Sequence, residues 1–98
     1  MTIKELQSWV ERDWQRSPQQ PDMQLQLIYL FEELGEMAEA IRKRDGSKAR
    51  KTDATDLEGE MADVLISITT IANHFDIDLT EAVSRCQKKI EDRHEQGY

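Results

Sequence analysis

Apolar residues return every three or four positions in four separate stretches of this 98-residue chain, and no stretch reads as a strand. The expected fold is therefore all-α, with four helices. Thr2 and Glu5 have the spacing of a capping box and open a helix over about residues 3–16, with Ile3, Leu6 and Val10 on one face. The stretch Ser17-Pro18-Gln19-Gln20-Pro21 breaks that pattern. Asp22 can then cap a second helix, about 23–45, whose stripe is Met23, Leu27, Leu30, Leu34, Met37 and Ile41. A polar, basic connection runs from Ser47 to about Ala54, and Thr55 with Glu58 reads as the opening of a third helix, about 56–75. Its inward residues are Leu57, Met61, Val64, Ile68, Ile71 and Phe75. Asp78 with Glu81 caps a fourth, about 79–94, carrying Leu79, Val83, Cys86 and Ile90 inward, and the charged end to Tyr98 reads as fraying. No repeat or composition shift marks a second domain, so residues 1–98 are expected to form one.

A chain this short buries only a modest core and commonly gains stability by assembling, so a homodimer or homotetramer is expected. Acidic residues outnumber basic ones by 20 to 13, and the net charge of −7 argues against a sequence-independent grip on nucleic acid or on an anionic membrane. The segment from Met1 to Gln7 lacks the apolar run of a signal peptide, and no later segment approaches the roughly 18 apolar residues of a membrane span. A cytoplasmic protein is expected. The single cysteine, Cys86, cannot form an internal disulfide and reads as a small buried hydrophobe.

Two acidic clusters stand inside the apolar repeats, Glu32-Glu33-Leu34-Gly35-Glu36 and Glu60-Met61-Ala62-Asp63. With 20 acids in 98 residues, a lone i, i+3 acidic pair is weak, but position adds weight. At about 100° per residue, Glu33 lies beside the second helix's apolar arc and Glu36 about 60° further on; Glu60 and Asp63 repeat that offset on the third. If these helices pack antiparallel, the two edges face each other and gather four carboxylates in one cleft. Such a group calls for hard divalent cations, and Mg2+ typically takes a few carboxylates while keeping water and phosphate in its other positions. Ala40 and Ser67 fall on the same edges and leave room for a ligand. The competing reading is a pair of ordinary charged helix faces. A bundle di-iron site is disfavoured, because it normally supplies Glu-x-x-His and the histidines here, His74 and His94, lie at a helix end and in the tail.

The motif Glu32-Glu33-x-x-Glu36 followed by Glu60-x-x-Asp63 resembles that of the MazG-like nucleotide pyrophosphohydrolases, which are all-α enzymes. The likeness extends through Phe31 to Ile41, Glu60 to Ile66 and Ile71 to Ala82, and covers about residues 25 to 93. Lys89-Ile90-Glu91-Asp92-Arg93 is similar to the K-x-x-x-R ending of the short single-domain members, and the basic connection is also like theirs. The resemblance implies a four-helix subunit that assembles into dimers or a dimer of dimers. It also implies Mg2+-dependent hydrolysis of a nucleoside triphosphate between the α and β phosphates, with Mn2+ as a substitute metal, serving to remove non-standard or excess nucleotides. Carried over by motif position, Glu33, Glu36, Glu60 and Asp63 bind the metal; Glu32 is either a supporting acid that helps activate water or a surface glutamate.

The same resemblance implies substrate contacts. Lys89 and Arg93, at i, i+4 on the fourth helix, are the basic counterpart for the triphosphate, and the plainer alternative for them is a solvated helix end. Trp14, in Glu11-Arg12-Asp13-Trp14, is similar to a tryptophan that lines the base pocket of dCTP-hydrolysing relatives. Trp9 is read as packing. Those relatives carry a tyrosine where this chain has Ser67, so the resemblance does not carry their sugar discrimination over to this protein. Two other functions stay open at this point: a phosphoribosyl-ATP pyrophosphohydrolase of similar size, and a non-catalytic helical module whose acidic edges bind a basic partner.

Overall fold

The computed structural model describes residues 1–45 and 55–97; the basic connection between Ser47 and Ala54 lies outside the described residues. These residues form four α-helices and no strand: α1 (Ile3–Arg16), α2 (Met23–Asp45), α3 (Leu57–His74) and α4 (Leu79–Glu95). Local chemistry sets most of the helix starts. At α1 the Thr2 hydroxyl accepts from the Glu5 amide at 3.0 Å and the Glu5 carboxylate accepts from the Thr2 amide at 2.9 Å, a complete capping box. Asp22 accepts from the Leu25 amide at 2.8 Å, and Asp78 from the Glu81 amide at 3.2 Å.

The start of α3 corrects the expectation. Asp56, not Thr55, is the cap: its carboxylate accepts from the Gly59 amide at 3.0 Å, in space that a side chain at Gly59 would occupy. Glu58 is unavailable to close a box at Thr55, because its carboxylate is held by Arg44. At the other end of α3 the chain reverses through Asp76, whose φ of 54° places it in the left-handed region. The Ile77 amide donates to Ala72 and the Asp76 amide to Asn73, the two bonds of a Schellman turn, with an aspartate where glycine is commoner.

α3 is the element on which the others pack. It runs antiparallel to α2 and also contacts α1, while α4 rests chiefly on α1. Gln7 clamps α1 to the α3–α4 turn: its side-chain amide donates to Asn73 Oδ1 at 2.9 Å and to the Ile77 carbonyl at 2.8 Å, and its Oε1 accepts from the Leu79 amide at 3.0 Å. Asn73 Nδ2 donates back to the Gln7 carbonyl at 2.9 Å. Val10, Thr69 and Ala72 are the most enclosed residues of this side.

The expected apolar stripes are only partly internal. Against α3, α2 presents Met23, Gln26, Leu30, Glu33, Met37 and Ala40, of which Gln26 and Ala40 are buried. Leu27, Leu34 and Ile41, expected in the core, remain between a third and a half exposed, as do Ile68 and more strongly Met61 and Phe75 on α3. No residue of α4 is buried, so Val83, Cys86 and Ile90 are exposed in the subunit rather than inward. The reason is geometric: α2 carries apolar residues on more of its surface than α3 covers, and α3 on more than α2 and α1 cover together. Among the described residues no helix is long and apolar enough to cross a membrane.

Candidate functional site

The seam between α2 and α3 has two halves. In the first, nearer the start of α2, the Ser67 hydroxyl donates to Glu33 Oε2 at 2.6 Å, and the Gln26 side-chain amide reaches Ser67 Oγ at 3.5 Å. Gln26 and Ser67 are buried and Glu33 is half-buried, so this is an internal polar relay with each member engaged. The second half holds an open cavity of about 540 Å³. One stripe of α2 lines it, Glu32, Gly35, Glu36, Glu39, Ala40 and Lys43, and Thr55, Asp56 and Glu60 line the facing side. The i, i+3, i+4 spacing of that stripe is the helical repeat itself, so every residue on it points the same way.

Glu60 is the charged centre of this half. Its Oε2 is buried and has no hydrogen-bond partner. Burial pushes the Glu60 carboxyl above the ordinary carboxylate range, Glu36 pushes it the same way by its charge and by hydrogen bonding between the two carboxyls, and the charges of Asp63 and Asp56 add to this. A buried, unpartnered carboxylate oxygen among like charges is costly unless a cation satisfies it. The donors are all oxygens, the set that suits Mg2+ or Mn2+. Among the described residues no three His, Cys, Asp or Glu side chains form a group that could hold a metal ion by themselves, and an ion in this cleft would need oxygens from water or a ligand to complete its shell.

The expected site residues divide accordingly. Glu36 and Glu60 share the cavity, and so does Glu32. Asp63 is exposed one turn along α3, close enough to act on Glu60 by charge, while Glu33 is directed into the seam and bound to Ser67. Ala40 does keep the cavity clear, whereas Ser67 is occupied by Gln26 and Glu33 and leaves no room. Trp14 is half-buried in a separate small cavity of about 150 Å³ with Val10, Glu11, Met23, Thr70, Asn73 and His74. Thr70 stands ten residues beyond Glu60 on α3, about 15 Å along the axis. Lys89 and Arg93 are exposed on α4, are not among the residues lining the acidic cavity, and form no ion pair among the described residues.

Three residues at the seam escape a motif reading. Gln26 is a polar residue on an apolar face, visible in sequence only as an irregularity. Asp56 serves both as cap and as cavity wall. Lys43 sits four residues after Glu39 and seven after Glu36, a spacing that places it on the cavity stripe.

This geometry defines an all-α subunit with an acidic cleft between two antiparallel helices. Residues 22–98 match the MazG nucleotide pyrophosphohydrolase domain, and the chain belongs to that family. It is similar to the uncharacterized protein YpjD of Bacillus subtilis strain 168, with 41% identity over 66 residues that make up 65% of this chain. The match spans 60% of that relative's length. A crystal structure of YpjD from Bacillus subtilis, described as a candidate pyrophosphatase, superposes with a TM-score of 0.79 at 35% identity and covers 91% of this chain and 94% of that one.

Proposed function

We propose that this protein is a Mg2+-dependent nucleoside triphosphate pyrophosphohydrolase that cleaves between the α and β phosphates, giving the monophosphate and pyrophosphate. Its service is removal of non-standard or excess nucleotides. The observation that carries this reading is the buried, unpartnered Glu60 oxygen, set among Glu36, Asp56 and Asp63 in an open cleft. Glu36 and Glu60 would hold the metal from facing helices, with Asp63 and Glu33 as the further carboxylates of the set. A bound Mg2+ would supply charge compensation for the phosphates and Lewis-acid activation of the attacking water. Glu32, on the same wall, orients that water or receives its proton. No protein nucleophile is needed, since phosphoryl transfer depends mainly on positioning and charge.

The working unit is a homodimer or a dimer of dimers. The exposed rows Leu27, Phe31, Leu34 and Met61, Leu65, Ile68 follow the helical repeat on α2 and α3, and contiguous apolar surface of this kind marks an interface. Lys89, Arg93 and Trp14 line no part of the acidic cavity of their own chain, so a role for them in substrate binding runs through the partner subunit.

The deciding experiment measures pyrophosphate release from ribo- and deoxyribonucleoside triphosphates and from phosphoribosyl-ATP, in Mg2+, in Mn2+ and in EDTA. Metal-dependent release is expected, with turnover lost by a factor on the order of 10²–10³ in Glu36→Gln and the helical fold retained. Release from phosphoribosyl-ATP alone would move the assignment to that substrate. Absence of release from every substrate would overturn it in favour of an acidic interaction module.

A further inference from the structure

The last turn of α2 carries three consecutive cations, Arg42, Lys43 and Arg44. Two of them are engaged. Arg42 donates twice to the Glu39 carboxylate, at 2.6 and 3.1 Å, and Arg44 donates twice to Glu58, at 2.6 and 3.3 Å, tying the end of α2 to the start of α3. Lys43, between them, makes no hydrogen bond or ion pair among the described residues. It is also the one of the three that is half-buried, and the one that lines the acidic cavity.

A lone ammonium in a carboxylate-lined cleft has an obvious acid within reach, Glu39, one turn back. Arg42 already holds that carboxylate and keeps its carboxyl below the ordinary range. Lys43 acts on Glu39 by charge alone, with no hydrogen bond or ion pair between them among the described residues, so its ammonium hydrogens stay available to a ligand, and a lysine serves phosphate as a mobile point charge. Its place along the cleft is definite: seven residues beyond Glu36 puts it on the same line of the helix about 10 Å further on, with Ala40 as the low floor between them. On the other side of Glu36, Gly35 leaves open space where a side chain would stand, with no atom within 4 Å.

We propose that Lys43 binds the pyrophosphate half of the substrate and thereby fixes the direction in which a nucleoside triphosphate lies in the cleft. The assignment rests on the pyrophosphohydrolase reading. The β and γ phosphates point toward the end of α2, the scissile bond lies at Glu36 and Glu60, and the nucleoside lies over Gly35 toward Glu32. Water oxygen bonds to the α phosphorus, and its proton passes to a site carboxylate. The bond from that phosphorus to the bridging oxygen breaks, and the electron pair leaves with pyrophosphate. Lys43 then stands where the departing negative charge accumulates, which makes its attraction stronger as the bond breaks.

Product inhibition separates the two ends of the substrate. Inhibition constants for inorganic pyrophosphate and for the nucleoside monophosphate are measured on wild type, Lys43→Ala and Lys43→Arg with the best substrate. Calorimetric binding of pyrophosphate in Mg2+ provides a readout that needs no turnover. In Lys43→Ala, inhibition by pyrophosphate is expected to weaken about tenfold while the monophosphate constant stays within about twofold, and the arginine variant restores most of the loss. An active wild type whose pyrophosphate inhibition is unchanged in Lys43→Ala, or weakened equally for both products, overturns the role of Lys43. A wild type that releases no pyrophosphate from any triphosphate overturns the underlying reading and this assignment with it. Thermal melts of the variants report folding, and alanine, the strongest helix former, is compatible with this position.

Discussion

The two halves of the α2–α3 seam are built from the same kinds of residue and behave oppositely. In the half nearer the start of α2, Gln26, Ser67 and Glu33 form a relay in which buried polar groups find each other. In the other half, Glu36 and Glu60 crowd one cleft, a buried oxygen of Glu60 has no partner, and Lys43 stands without a bonded acid among the described residues. Satisfied polar groups contribute to a fold; unsatisfied ones cost it free energy and persist where something else completes them. The comparison teaches that an acid's proximity to the core does not reveal its use, since Glu33 and Glu36 are neighbours in one motif and occupy different environments.

The largest effect breaks the unsatisfied half. Glu60 has its folded-state carboxyl raised, so in the metal-free protein its contribution to stability is fully present below its unfolded value and is lost as pH rises through the raised folded value. Around neutral pH the ionised group is therefore a burden on the apo fold. Glu60→Gln should remove turnover, as Glu36→Gln does, and also raise the melting temperature in EDTA near pH 7 and flatten its fall between weakly acid and neutral pH. Added Mg2+ should raise the wild-type melting temperature and leave the variant nearly unmoved. A wild-type melting curve that does not respond to pH in that window would contradict the burial of an uncompensated charge.

The satisfied half predicts the reverse pattern. Ser67→Ala deletes the donor to Glu33 and strands the Gln26 amide in a buried site, which should cost about 1–3 kcal/mol in urea unfolding. Metal dependence should shift less than in any variant of Glu36 or Glu60. A neutral Ser67→Ala would mean that the relay is not holding the helices together.

Much of this was legible in the sequence because it is local. Four helices follow from the apolar period, and Thr2, Asp22 and Asp78 cap within three residues of the amides they meet. The start of α3 was misread by one position for a nonlocal reason: Thr55 and Asp56 can each cap, and Arg44, fourteen residues before Glu58, removes the glutamate that would have favoured Thr55. The stripes misled in a similar way. Periodicity records that Leu27, Ile41 and Met61 are apolar, but which surface covers them depends on what packs there, and α3 covers only the adjacent face of α2. Of the seam, the acids were readable as a motif. That Lys43 has no bonded acid among the described residues was not, because it depends on Arg42 and Arg44 both finding acids of their own.

Gly35 sharpens the contrast with the smallest change. In the middle of a helix a glycine destabilises by about 0.8–1.0 kcal/mol relative to alanine. At Gly35 nothing stands within 4 Å of the added methyl, so the protein itself has no steric reason to keep it. Gly35→Ala should therefore stabilise the fold by roughly that amount in urea or thermal unfolding, while narrowing the cleft floor beside Glu36 and raising KM for the triphosphate more than it changes kcat. The pyrophosphate inhibition constant should not move, since that end of the ligand lies toward Lys43. A variant that gains stability with unchanged KM would place the nucleoside elsewhere than over Gly35 and would reverse the direction assigned to the substrate.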